Sequence, residues 1–105
     1  MKNHQLIVQL KINAISQNNL NLRYSLEDAL DAQLKESDNG YCDGGDIGNN
    51  NINIFLFVND KKIAIDLIRK VLTKLEMNGK FLIAERLGNN VSVIYPPDHS
   101  SQFNY

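Results

Sequence analysis

Residues 51–76 change period abruptly, and that change narrows the possible folds more than any other feature of the chain. In Asn51–Val58, Ile52, Ile54, Leu56 and Val58 alternate with Asn53, Phe55 and Phe57. This period of two predicts a strand, and the apolar centre on both sides predicts an interior one. After Asn59-Asp60, which offers helix caps, the period becomes that of a helix over about 60–76. Ala64, Leu67, Ile68, Val71, Leu72 and Leu75 follow one another at spacings of three and four, with Lys61, Lys62, Asp66, Arg69, Lys70, Thr73 and Lys74 opposite. The stripe reads as core, since burying each large side chain is worth roughly 1.5–3 kcal/mol before entropy is subtracted. Asn78-Gly79 reads as the helix stop.

The same two patterns recur elsewhere. Leu6, Val8, Leu10 and Ile12 alternate with Gln5, Gln9 and Lys11, which predicts a half-buried first strand with one wet face. Ser16-Gln17-Asn18-Asn19 reads as a loop. Leu22, Leu26, Leu30 and Leu34 then predict a helix over about 20–35, capped by Asn19 or Asn21 and stopped by Ser37-Asp38-Asn39-Gly40. Strands over about 80–87 and 90–95 meet through Gly88-Asn89-Asn90, and Pro96-Pro97 closes the last one. With a short strand near 40–47, the order is strand, helix, strand, strand, helix, strand, strand. Two interleaved β-α-β units of this kind give an α+β fold, a ferredoxin-like sandwich. In it an antiparallel sheet is covered on one face by two helices, with an extra C-terminal strand. The single domain spans 1–97 and leaves a polar C-terminal tail over 98–105.

Gly40-Tyr41-Cys42-Asp43-Gly44-Gly45-Asp46-Ile47-Gly48 combines four glycines and two aspartates in nine residues. As structure, it reads as a turn with a β-bulge leading into strand 51–58. As chemistry it is sparse. Asp43 and Asp46 lack the spacing of a Ca²⁺ loop, and the glycines lack the Lys-Ser/Thr of a phosphate-binding loop. Cys42 is the only cysteine, its sequence neighbours include acids, and it reads as a small, partly buried hydrophobe rather than a reactive thiol. Glu76 and Glu85 read as surface carboxylates. No catalytic constellation, metal site or cofactor site emerges, so the expectation is a binding module and not an enzyme.

Charge gives that expectation a direction. The chain is nearly balanced, with 11 Lys and Arg against 12 Asp and Glu, and this weighs against general nucleic-acid binding. Residues 1–52, however, hold seven acids against four bases. The candidate partner-binding residues are Glu27, Asp31, Glu36, Asp38, Tyr41, Asp43 and Asp46, a surface suited to a basic partner. A lone cysteine, no apolar leader at the N-terminus and no apolar run long enough to span a bilayer point to a cytoplasmic protein without membrane contact.

The string Asp43-Gly44-Gly45-Asp46-Ile47-Gly48, then Asn53-Ile54-Phe55-Leu56-Phe57, then Asp60 and the helix bearing Ala64, Leu67, Ile68, Val71 and Leu72, with Val93-Ile94-Tyr95-Pro96 at the end, carries a family likeness. It resembles small ferredoxin-like bacterial proteins encoded beside polymorphic toxins. Some of these are immunity proteins of contact-dependent growth inhibition and related systems. The resemblance implies stoichiometric binding to the C-terminal domain of a cognate toxin, often a basic nuclease, by a monomer or weak homodimer that uses no cofactor. The alternative is a small-molecule-sensing regulatory domain acting as a homodimer, and a third reading is a small metal-dependent enzyme using Asp43 and Asp46.

Overall fold

The computed structural model describes residues 4–12, 17–75 and 81–97. The elements are β1 (His4–Lys11), α1 (Gln17–Glu36), β2 (Gly40–Gly48), β3 (Asn51–Val58), α2 (Lys61–Lys74), β4 (Phe81–Leu87) and β5 (Asn90–Tyr95). The strands form one sheet in the order β2-β3-β1-β4-β5, and every neighbouring pair is antiparallel. Strands β1 and β2 therefore run parallel with β3 between them, and β3 and β4 run parallel with β1 between them. The protein is thus an α+β fold with a five-stranded antiparallel sheet and two helices, an order compatible with the expected sandwich. The interior position expected for β3 is observed.

The core lies between the helices and one face of the sheet. Leu6, Val8 and Leu10 of β1, Ile52, Ile54, Leu56 and Val58 of β3, and Phe81 and Ile83 of β4 meet Leu26, Leu30 and Leu34 of α1 and Ala64, Ile68 and Leu72 of α2. Helix α1 starts earlier than expected, so Gln17, Asn18 and Asn19 are helical rather than looped, and Asn19 and Asn21 lie inside the helix instead of capping it. Its far end closes as expected at Ser37–Gly40. The N–H of Asp38 donates to the Lys35 carbonyl (3.1 Å) and that of Asn39 to the Leu34 carbonyl (2.9 Å). Asp38 takes the left-handed conformation (φ 53°) that this paired closure requires. Helix α2 begins at the expected cap, where an Asp60 carboxylate oxygen accepts the Ile63 N–H at 3.0 Å. The expected stop at Asn78-Gly79 and the tail 98–105 lie outside the described residues.

Two expectations about burial need correction. The outward face of β1 is not wet at its centre: Ile7 is 0% exposed and Gln9 7%. As the central strand, β1 has neighbours on both sides, with Ile7 between Phe55 and Ala84 and Gln9 between Asn53 and Leu82. The apolar stripe of α2 is also not all core. Leu67 is only half-buried, and Leu75 is 42% exposed. The stripe is wider than the sheet surface available to it, so one flank turns away from the core.

Hairpin β2–β3 turns through Asn49-Asn50, both with positive φ (51° and 62°), as a tight two-residue turn between twisted strands requires. Between Cys42 and Gly45 the register with β3 shifts: Cys42 pairs with Leu56 and Gly45 with Ile54, so Asp43 and Gly44 together oppose Phe55. The glycine-rich segment is thus a nine-residue strand with an internal bulge, rather than a turn that leads into β3. The extra residue reverses the phase of the strand. Cys42 and Ile47, an odd number of positions apart, both face the core, while Tyr41 and Asp46 both face the opposite side of the sheet.

Candidate partner-binding surface

Strand β2 is an edge of the sheet, and α1 lies against it. One oxygen of Asp31 accepts the Cys42 backbone N–H at 2.8 Å, while the other meets the Lys35 ammonium at 2.8 Å. The hydrogen bond from Lys35, reinforced by that from Cys42, holds the Asp31 carboxyl below its ordinary range. Glu27, one turn earlier, is paired with Arg23 at 2.6 Å. Its approach to β2 depends on Gly45, because a Cβ there would come within 3.1 Å of the Glu27 carboxylate and 2.5 Å of the Asn53 carbonyl oxygen. Asp31 is therefore bound into the join between α1 and the edge strand, and Glu27 lies close beside it.

The other candidate residues are spread around that edge. Glu36 and Asp38 are exposed where α1 ends. Asp43 is exposed at the bulge. Tyr41 and Asp46 lie on the sheet face away from the helices, where the Tyr41 ring packs on Phe57 with centroids 5.5 Å apart. Among the described residues, Glu36, Asp38, Asp43 and Asp46 take part in no ion pair. The structure thus places all seven candidates along the α1–β2 side, but on two faces of it.

Asp46 is held in a way the sequence reading missed. Asn53 donates through Nδ2 to Asp46 Oδ1 at 2.9 Å, and its own Oδ1 accepts the Gln9 side-chain amide at 2.9 Å. Gln9 and Asn53 are both buried, so the chain Gln9–Asn53–Asp46 crosses three strands and fixes the direction of an exposed carboxylate. The polar Asn53 in the middle of an apolar strand was the available signal.

Glu85 also departs from expectation. It is 4% exposed and receives hydrogen bonds at 3.0 Å from both Lys61 Nζ and His4 Nδ1. Burial pushes its carboxyl up, but the bonds from Lys61 and His4 outweigh that and hold it below the ordinary value of 4.5. Glu85 falls on the core side of β4 opposite Leu6, at the end where β1 and α2 both begin, and the ammonium reaches it from above. The cluster ties three elements together.

Cys42 is half-buried, and burial pushes its thiol up, with nearby carboxylates adding to the shift. Among the described residues, no three His, Cys, Asp or Glu side chains converge as metal ligands would. No helix among them is long and apolar enough to cross a membrane. Comparison of the chain with protein-family models, with curated proteins and with solved structures gave no match.

Proposed function

We propose that this chain is a ferredoxin-like binding protein whose β2 edge docks a basic protein surface. In the setting its sequence resembles, it is a cytoplasmic immunity protein that neutralises a cognate bacterial toxin domain, a nuclease, by stoichiometric occlusion. The observation that carries the reading is the preorganised carboxylate of Asp46, aimed by Asn53, on the same sheet face as Tyr41 and with exposed Asp43 at the bulge between them. A fixed acid costs less ordering on binding than a mobile one, and an aromatic on the same face supplies contact area. Glu36 and Asp38 extend the negative surface toward the end of α1 and would steer a basic partner on approach.

The test is affinity isolation of the tagged protein from its host with mass spectrometry, followed by calorimetry on the recovered partner. The expected result is one protein with a toxin-like C-terminal domain, bound one-to-one. Replacing both Asp43→Lys and Asp46→Lys should then weaken binding by several kcal/mol and slow association, on the scale of close charge pairs at interfaces of about 1.5–7 kcal/mol. Recovery of only the protein itself, at twice its monomer mass and with a bound small molecule, would instead establish the homodimeric sensing reading.

A further inference from the structure

Helix α2 carries an apolar flank beside the stripe that faces the core. Its buried stripe is Ala64, Ile68, Val71 and Leu72. Beside it Ile63, Leu67, Val71 and Leu75 run at spacings of four: Ile63 is 51% and Leu75 42% exposed, Leu67 is partly buried against the core, and Val71 belongs to both rows. Ile63, Leu67 and Val71, with Gln33 of α1, line an open groove of about 950 Å³. Arg69, Lys70 and Lys74 stand along it, against one acid, Asp66.

The charge around this groove is unbalanced. Helix α2 bears Lys61, Lys62, Arg69, Lys70 and Lys74, and of these only Lys61 is in an ion pair among the described residues. Arg69 lies over the Tyr95 ring at 5.1 Å, a contact that stabilises the cation without supplying an opposite charge. An apolar strip at helical spacing with a cationic border is complementary to one kind of occupant. That occupant is an amphipathic helix whose apolar residues recur every three or four positions and whose flanks are acidic.

We infer that the α2 groove is a docking site for an acidic amphipathic helix of a partner protein, separate from the β2 edge. Leucines of the incoming helix lie between Ile63, Leu67 and Val71, and its carboxylates face Arg69, Lys70 and Lys74. The inference rests on α2 alone and stands whether or not the β2 edge binds a toxin.

The probe is a fluorescein-labelled helical peptide of about 14 residues, with leucines at i, i+4, i+7 and i+11 and glutamates flanking them. Binding is followed by anisotropy and located by amide chemical-shift changes in the full chain. The expected result is saturable binding that weakens with salt, with shifts centred on Ile63, Leu67 and Lys74. Ile63→Glu, and separately Lys70→Glu with Lys74→Glu, should each weaken it roughly tenfold or more. These positions are exposed, so the variants keep the fold, which far-ultraviolet circular dichroism checks. A peptide with lysines in place of the glutamates should not bind. Absence of saturable binding, binding that ignores these variants, or shifts confined to other elements overturns the inference. So does a peptide-free dimer in sedimentation that Ile63→Glu turns into a monomer, because a second copy then covers the groove.

Discussion

Helix α1 buries Leu26, Leu30 and Leu34 and settles its charges locally, Arg23 with Glu27 and Lys35 with Asp31. Helix α2 buries Ala64, Ile68 and Leu72 just as fully, yet Ile63 and the adjoining Leu75 are exposed and, among the described residues, only Lys61 of its cations is in an ion pair. The two helices cover the same face of the sheet, so the difference is not one of depth. Helix α1 is tied laterally to an edge strand through the Asp31–Cys42 bond, and its acids are partly consumed by that join. Helix α2 meets the other edge strand through Arg69 over the Tyr95 ring, and among the described residues its exposed apolar and basic side chains collect along its outer flank. The lesson is that uncompensated features mark where a small domain can still bind something, while compensated ones mark how it holds together.

The largest effects should come where the helices are alike. Leu30→Ala and Leu72→Ala both remove fully buried side chains, and each should cost about 2–5 kcal/mol by urea denaturation. If only one of the two were costly, the helices would not share a single core. Next is the join between them. Asn39 donates to the Asp60 carbonyl at 2.9 Å and accepts the Asp60 N–H at 2.8 Å, linking the end of α1 to the start of α2. Asn39→Ala should cost about 1–3 kcal/mol, because it leaves partly buried backbone groups without partners.

Acid should probe both helices in the same direction. Asp31 of α1 and Glu85 of β4, which Lys61 of α2 reaches, are both carboxyls held below their ordinary values of 3.8 and 4.5 when folded. Each contributes stability that is present above those values and is lost as pH falls through the folded pKa. Thermal midpoints of the wild type should therefore drop on acidification below about pH 4.5, and Glu85→Gln should flatten that drop more than Asp31→Asn, since Glu85 is the more buried. A steeper acid response in Glu85→Gln than in the wild type would refute the assignment.

The smallest effects should separate the helices. Asp38→Gly relieves a left-handed residue at the end of α1 and should stabilise by about 0.5–1 kcal/mol. Leu75→Ala, on the exposed flank of α2, should change stability by less than about 0.5 kcal/mol in the same denaturation assay. A loss as large as that for Leu72→Ala would mean that Leu75 belongs to the core and that the apolar flank is not free.

Much of the candidate surface was legible in Glu27–Asp46 as a cluster of acids, but its division was not. Glu27 and Asp31 proved to be paired because Arg23 and Lys35 stand four residues away on the same helix, a spacing visible in the chain. The role of Asp31 toward the Cys42 N–H needs α1 to lie on β2, which no local pattern states. Glu85 read as a surface acid because nothing adjacent in sequence shields it; its partners are His4 and Lys61, far along the chain.

The amino-acid sequence by itself determined the seven elements, their order and most of their boundaries, because side-chain periodicity, caps and turn residues act within a few positions of one another. It also determined that β3 is interior, since Phe55 and Phe57 opposite Ile54 and Leu56 make the centre of that strand apolar on both faces. Only the tertiary structure decided that the bulge at Asp43-Gly44 rephases β2, that Gln9 and Asn53 are buried to aim Asp46, and that Ile63 and Leu75 of the α2 segment stay exposed. Register, burial and the meeting of distant polar groups depend on which strand lies beside which, and that is a property of the packed sheet rather than of any segment within it.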